Sequence, residues 1–295
     1  MSLKLQPAGP IALILTIFFV ACTVYGDMQS PKLLFPNLSI TTSERSYTEN
    51  EYPLYQLVDK NLKTTWVFNA YDYKGAEKKQ IRPEDIYLSF ECLGSKMIKT
   101  VKIINGYSKS EDLYKKNNRI TRIFIQDDND AVYSYDLEEI LSFQEIVLPR
   151  PLRSFRIVAS EIRQGSKYDD TCISEIMFLD ESGEEILVDK EYFIYSSGGE
   201  YPYHTIFDRG LHTIYAPQSD GIVEIGFSPK GDKVYLINSE IDGIGFDIFD
   251  IRTGKLQDYL NAYVTDLEWI TNSKVKVKYY DFNDDEGETI IDLSQ

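Results

Sequence analysis

Ile86-Tyr87-Leu88-Ser89-Phe90 alternates apolar and polar side chains, and the same period recurs along the middle of the chain. Val101 and Ile103 flank Lys102, Ile123 and Ile125 flank Phe124, Phe155 and Ile157 flank Arg156, and Ile176 and Phe178 flank Met177. Side chains of a strand point to opposite faces in turn, so period two marks strands with one face in a core. Clusters of Gly, Asn and Asp separate the runs; Asp127-Asp128-Asn129-Asp130, between Ile125 and Val132, reads as a hairpin turn. Short alternating strands with turns between them form a β-sandwich, here expected over residues 47–180. The 22 Tyr and 15 Phe among 295 residues favour strands across the whole chain, so the fold class is all-β.

Outward from that core, the N-terminus carries Lys4 and then an apolar run from Ile11 to Ala21, ending on Cys22. The run is shorter than the roughly 20 residues a bilayer-spanning helix needs and has the length of an export-signal core. Phe19-Val20-Ala21-Cys22 is similar to a bacterial lipobox, with Phe where Leu is usual. Cleavage before Asp27 and a retained anchor are the competing outcomes. The reading adopted is a lipoprotein signal peptide over 1–22, lipidation of Cys22, and a polar tether over 23–46. The chain is then exported and lipid-anchored to the bacterial envelope at its outer surface. Three cysteines are an odd number for an exported protein. Lipid on Cys22 leaves Cys92 and Cys172 as a matched pair, either a disulfide or two buried thiols.

Residues 181–295 have a different rhythm. Phe227-Ser228-Pro229-Lys230-Gly231-Asp232 precedes the strand Tyr235-Leu236-Ile237, and a second strand, Phe246 to Ile251, follows. About 40 residues later come Trp269, the turn Thr271-Asn272-Ser273, and strands at 274–280 and 289–293. This order is similar to β-propeller blades. Two units, or three counting 192–208, cannot close a ring, so a smaller antiparallel β domain is expected, packed on the sandwich or on a protein partner.

Four segments of the middle region carry chemistry. They are Asp59-Lys60-Asn61-Leu62-Lys63-Thr64-Thr65-Trp66; Asn105-Gly106-Tyr107-Ser108; Tyr114 with Asn117-Asn118-Arg119; and Tyr168-Asp169-Asp170-Thr171-Cys172-Ile173-Ser174-Glu175. In this order and spacing they resemble the glycan-binding, discoidin-like domain family named for the translocation domain of a bacterial NAD-glycohydrolase toxin. The resemblance implies a galactose-binding-like jelly-roll sandwich that recognises carbohydrate and has no catalytic role. Sugar rings stack their C–H faces on aromatic side chains, and their hydroxyls need short polar partners. Tyr107, Tyr114, Asn117, Arg119, Tyr168 and Asp169 supply both kinds from loops. The alternatives are that Tyr107 and Tyr114 pack on the sandwich and that Arg119 pairs with Asp169 or Asp170 to clamp the loops. Trp66 reads as core. No cofactor is expected beyond a structural Ca²⁺ that some relatives carry; the resemblance places it on Asp59, Asn61, Thr64 and Glu175, oxygen donors suited to a hard cation.

The formal charge of −16 disfavours nucleic-acid binding, because phosphate backbones would be repelled on average. His204 and His212 lack companions at metal-ligand spacing and read as structural. Asp281, Asn283 and Asp285 read as a hairpin, since Glu286 stands where a calcium loop needs Gly. No nucleophile elbow or phosphate-binding loop is present. The expected function is therefore a non-catalytic carbohydrate-binding surface lipoprotein. Its rivals are a protein-interaction sandwich without sugar binding and a carbohydrate-active enzyme.

Overall fold

A computed structural model describes residues 30–43, 51–69, 71–74, 77–80, 87–187, 191–197, 203–217, 221–240 and 243–294. The expected signal peptide, Cys22 and both candidate cleavage points lie outside the described residues.

The chain is built almost entirely of antiparallel strands. One sheet of the sandwich contains β1 (Lys32–Phe35), β2 (Leu38–Thr42), β6 (Tyr87–Cys92), β8 (Arg119–Asp127), β9 (Val132–Asp136) and β11 (Ser154–Arg163). It faces a four-stranded sheet of β3 (Trp66–Asn69), β7 (Ile98–Asn105), β10 (Gln144–Leu152) and β12 (Asp170–Leu179), in the order β10-β7-β12-β3. The short hairpin β4 (Tyr71–Lys74) and β5 (Glu77–Gln80) follows β3. The alternating residues named above meet between the sheets: Phe90, Phe155, Ile123, Ile125 and Ile157 from one, Val101, Ile103, Ile176, Phe178 and Trp66 from the other. Phe90 touches Phe155 within its sheet at 5.2 Å and Phe178 across the core at 4.9 Å, ring centre to ring centre. Each such side chain, fully buried, contributes about 1.5–3 kcal/mol.

The expected tether needs correction. Residues 32–42 form a buried hairpin, with Leu33, Phe35, Leu38 and Ile40 all 0% exposed. Pro36 and Asn37 are its turn, and the Ser and Thr residues that read as linker composition sit in strands. The boundary at residue 180 also differs. β13 (Tyr192–Ser196) pairs with β1, and β14 (His204–Asp208) and β15 (Thr213–Tyr215) continue outward. The result is one nine-stranded sheet, β15-β14-β13-β1-β2-β6-β11-β8-β9. Residues on both sides of 180 thus share a hydrogen-bonded sheet.

Beyond it come a four-stranded sheet, β16 (Ile222–Phe227), β17 (Lys233–Glu240), β18 (Gly243–Asp250) and β19 (Lys255–Leu260), and a three-stranded one, β20 (Tyr263–Thr271), β21 (Lys274–Tyr280) and β22 (Glu286–Asp292). Leu34, Ile194 and Ile206 of the long sheet pack on Val234, Leu236 and Phe249. Phe246 and Ile248 pack in turn on Val275 and Val277. The Ser228–Asp232 turn pins this stack: the Asn272 amide donates to Asp232 at 3.0 Å and accepts from the Lys230 N–H at 3.0 Å.

Cys92 and Cys172 are free and buried, so the disulfide alternative is set aside. They lie on strands of opposite sheets: Cys92 belongs to the central core, whereas Cys172, paired with Val67 between core residues Trp66 and Phe68, is turned the other way by strand alternation. Burial pushes the Cys92 thiol up to about 11 and the Cys172 thiol further, which leaves both unreactive.

Candidate functional site

The four sequence segments converge at one end of the sandwich. Gly106 has φ of +93°, and a Cβ there would lie 2.6 Å from the Tyr114 ring, so glycine is needed for both reasons. Its N–H donates to the Cys172 carbonyl at 2.9 Å, and its carbonyl accepts from the Ser174 hydroxyl at 2.8 Å. The Ser174 hydroxyl accepts in turn from the Ser108 N–H at 2.9 Å, and the Ser108 hydroxyl donates to the Leu62 carbonyl at 2.8 Å. The 59–66, 105–110 and 168–175 segments are joined by these bonds.

The third segment starts with the short helix α1 (Glu111–Lys116), capped by Ser110, whose hydroxyl accepts from the Leu113 N–H at 3.2 Å. Tyr114, Asn117 and Arg119, expected to face a sugar, are buried beneath the loops. Arg119 is 6% exposed. It donates to the Tyr114 and Asn117 carbonyls at 2.6 and 3.2 Å and stacks on the Tyr114 ring at 4.8 Å. Its acidic partner is Glu139, 3.4 Å away and shared with Arg163, rather than Asp169 or Asp170. The Asn117 amide donates back to the Leu113 carbonyl at 2.8 Å, closing the helix. These three residues hold the helix end in place.

The loop clamp is Asn118 instead. Its amide donates to the Asp169 carbonyl at 2.7 Å and accepts from the Gly165 N–H at 2.7 Å. Ser166 and Tyr168 N–H groups donate to the Lys115 and Lys116 carbonyls at 3.0 and 2.8 Å. This docking holds Tyr168 out at the surface, 37% exposed, with the Lys167 ammonium 5.0 Å from its ring. Asp169 is partly exposed, as is Tyr107.

Two residues join them that sequence reasoning missed. Tyr52 is within electrostatic reach of Tyr107 and Asp170, and Glu51 of both Tyr52 and Asp170. Burial, then Asp169, then Glu51 raise the Asp170 carboxyl above its ordinary value. Burial, then Tyr107, raise the Tyr52 hydroxyl, and burial first raises that of Tyr107. Tyr52, Tyr107 and Tyr168 are each at least partly exposed, as are Glu51, Asp169 and Asp170. Together they offer flat apolar faces and hydrogen-bond acceptors. No local signal marks Tyr52, which lies 55 residues before Tyr107 and 118 before Asp170 in the chain.

On the neighbouring 59–64 loop, Lys60 takes a left-handed φ of +59°. The Asn61 N–H and Thr64 hydroxyl each donate to Asp59 at 2.8 Å, and the Thr64 hydroxyl also lies 2.6 Å from the Asn61 carbonyl. Glu175 is buried nearby, and its Oε2 has no hydrogen-bond partner. Burial, and after it the charge of Asp59, pushes its carboxyl up to about 8. Asp59 is itself raised, chiefly by burial. Among the described residues no three His, Cys, Asp or Glu side chains cluster as metal ligands. A cation here would draw on two carboxylates, a hydroxyl and a carbonyl. An orphaned carboxylate oxygen facing a second acid, among hard oxygen donors, fits such an ion.

Residues 36–179 match the family model described as the NAD glycohydrolase translocation F5/8 type C domain. No curated protein matches the chain. Among solved structures, the family 32 carbohydrate-binding module of Clostridium perfringens NanJ in complex with galactose is 15% identical, with a TM-score of 0.34, over 50% of this chain and 98% of that one. A pectin-binding module is 13% identical, with a TM-score of 0.32, over 47% of this chain and 87% of that one. The match to two such modules and the M60 catalytic domain of Clostridium perfringens ZmpB, at 11% identity and a TM-score of 0.36, covers 50% of this chain and only 14% of that one. Residues 36–179, just under half of this chain, are thus similar to the NAD glycohydrolase translocation F5/8 type C domain family.

Proposed function

We propose that this chain is a non-catalytic carbohydrate-binding protein, exported and held at the outer surface of a bacterial envelope by lipid on Cys22. The observation that carries the binding role is the exposure of Tyr52, Tyr107 and Tyr168 together with the carboxylates Glu51, Asp169 and Asp170. Tyrosine faces stack on the C–H faces of a sugar, and carboxylates accept from its hydroxyls. These carboxylates repel carboxylated or sulfated glycans, so the ligand is a neutral sugar. Tyr114, Asn117 and Arg119 support the loops from below, and Tyr107, Tyr168 and Asp169 reach the ligand. A glycan array probed with the full chain tests this reading. Binding confined to neutral glycans is expected; binding to none would favour the protein-interaction alternative.

The lipid anchor rests on the apolar run that ends at Ala21-Cys22. Cys22→Ala should move the protein from the membrane to the soluble fraction, and a variant that stays membrane-bound would refute lipidation. The oxygens of Asp59, Asn61, Thr64 and Glu175 would hold a calcium ion, which would neutralise the two acids and fix the loop tied by Ser108 to Tyr107. Chelation should then lower the melting temperature; an unchanged melt would count against the ion. The stacked sheets beyond residue 221 are proposed as a contact region for a protein partner.

A further inference from the structure

β22 is an edge strand, the outermost of the order β20-β21-β22. Among the described residues it is the longest edge strand whose pairing runs without a bulge. The edge strands β10, β16, β19 and β20 each carry a register shift, and the others span five residues or fewer. β22 holds no proline, whereas β10 holds two. Its register on β21 settles which backbone groups are free. The hairpin closes through the Asp281 N–H on the Asp285 carbonyl at 3.1 Å, and the far end through the Leu293 N–H on the Ser273 carbonyl at 2.6 Å. Hydrogen-bonded and non-bonded pairs alternate along an antiparallel ladder, so Gly287, Thr289 and Ile291 bond to β21. The N–H and C=O groups of Glu286, Glu288, Ile290 and Asp292 therefore point away from it, and their side chains share one exposed face. An unpaired row of this kind is a template for another strand.

The inner neighbour of β22 shows what such a strand carries. β21 reads Lys274-Val275-Lys276-Val277-Lys278, with its valines in the core and its lysines on the outer face. Lys274 pairs with Asp292 at 3.3 Å and Lys276 with Glu288 at 2.9 Å across the ladder. Three lysines do not balance that face, which carries Asp266, Glu268, Glu286, Glu288 and Asp292. The turn between β21 and β22 adds Asp281, Asp284 and Asp285 and no basic residue. On the opposite face of β22, Ile291 packs at the margin of the core that holds Val275 and Val277.

We propose that the outer edge of β22 accepts an extended segment of a partner protein in which Lys or Arg alternates with apolar residues. The basic side chains meet Glu286, Glu288 and Asp292, the apolar ones extend the core beside Ile291, and the backbone continues the ladder. Charge complementarity selects this occupant over a second copy of the chain, whose net charge of −16 would repel the first. The inference rests on the reading that the sheets beyond residue 221 contact a protein partner, and gives that partner its chemistry and its place.

The probe is a synthetic peptide with blocked ends that copies Lys274–Tyr280, titrated into the full chain by fluorescence polarisation, with hydrogen exchange read on the complex. Saturable binding is expected, weaker as salt rises, with added protection at the Glu286, Glu288, Ile290 and Asp292 amides. Ile290→Pro removes an outward N–H that β21 does not use, so the melting temperature should hold while peptide affinity falls about five- to tenfold. Should that variant melt lower, Glu286→Gln combined with Glu288→Gln leaves the backbone intact and should weaken binding roughly fivefold. No saturable binding, or equal binding of a peptide with glutamate in place of each lysine, would overturn the edge assignment and leave the contact region standing. Protection at other amides beyond residue 221 would do the same. Protection confined to amides before residue 221 would overturn both.

Discussion

Gly165 is the point at which the ligand-facing loop can be detached without touching the core. A Cβ added there would lie 2.2 Å from the Lys116 carbonyl oxygen and 2.5 Å from the Asn117 carbonyl carbon. Both are backbone atoms of the segment that Arg119 and Asn118 hold in place, so neither can swing aside. Gly165→Ala should therefore lift the 164–168 segment off α1. Four hydrogen bonds go with it: Gly165 N–H to the Asn118 side chain, Ser166 N–H to the Lys115 carbonyl, and the Lys167 and Tyr168 N–H groups to the Lys116 carbonyl. At about 1 kcal/mol net each, the local docking loses about 4 kcal/mol, or roughly a thousandfold in the opening equilibrium. Hydrogen exchange at the Ser166 and Tyr168 amides should accelerate by about that factor, while amides of β7 and β12 keep their protection. Affinity for a neutral glycan should fall with it, because Tyr168 and Asp169 lose their fixed positions. Exchange at both amides within about twofold of wild type would refute the docking argument.

Other consequences are simpler to state. Trp66→Ala removes a ring buried between the sheets beside Phe68 and should cost about 3–5 kcal/mol in urea denaturation, against less than about 1 if the ring were a ligand platform. Deleting residues 30–43 removes β1 and β2, the hairpin that joins β13 to β6, and should abolish cooperative melting; a chain that still melts cooperatively would restore the tether reading. His204 is buried on β14, 2.7 Å from the Ser196 hydroxyl, and burial holds its imidazole below the ordinary value. The unfolded chain then takes up the proton first, so its contribution to stability is present above about pH 6.5 and lost as pH falls below that. His204→Gln should flatten this part of the pH–stability curve, and an unchanged slope would assign it to other groups.

The sandwich was legible because its strands bury one face, and Phe90, Val101, Ile103, Phe155 and Phe178 announce that face by period two. Residues 32–42 were not, because strands of four and five residues interrupted by Pro36 and rich in Ser and Thr carry the composition of a linker. Pairing of β1 with β13 and of β2 with β6, both further along the chain, commits them to the sheet. The loop segments were located correctly, but their residues were not sorted by depth. Tyr114 and Arg119 have the chemistry of ligand contacts, and it is the Glu139 and Arg163 side chains, from distant strands and turns, that close over them. Tyr52 comes within reach of Tyr107 and Asp170 only through the fold, with no spacing to signal it.

The central claim is that the exposed tyrosines and carboxylates bind sugar. Titration calorimetry of the full chain with the strongest neutral glycan from the array measures it, using wild type, Tyr52→Ala, Tyr107→Ala and Tyr168→Ala. A ring stacked on a sugar contributes about 1 kcal/mol, so each variant should bind roughly five- to tenfold more weakly with its melting temperature near wild type. Unchanged affinity in all three, at native stability, would contradict the account and move the site elsewhere.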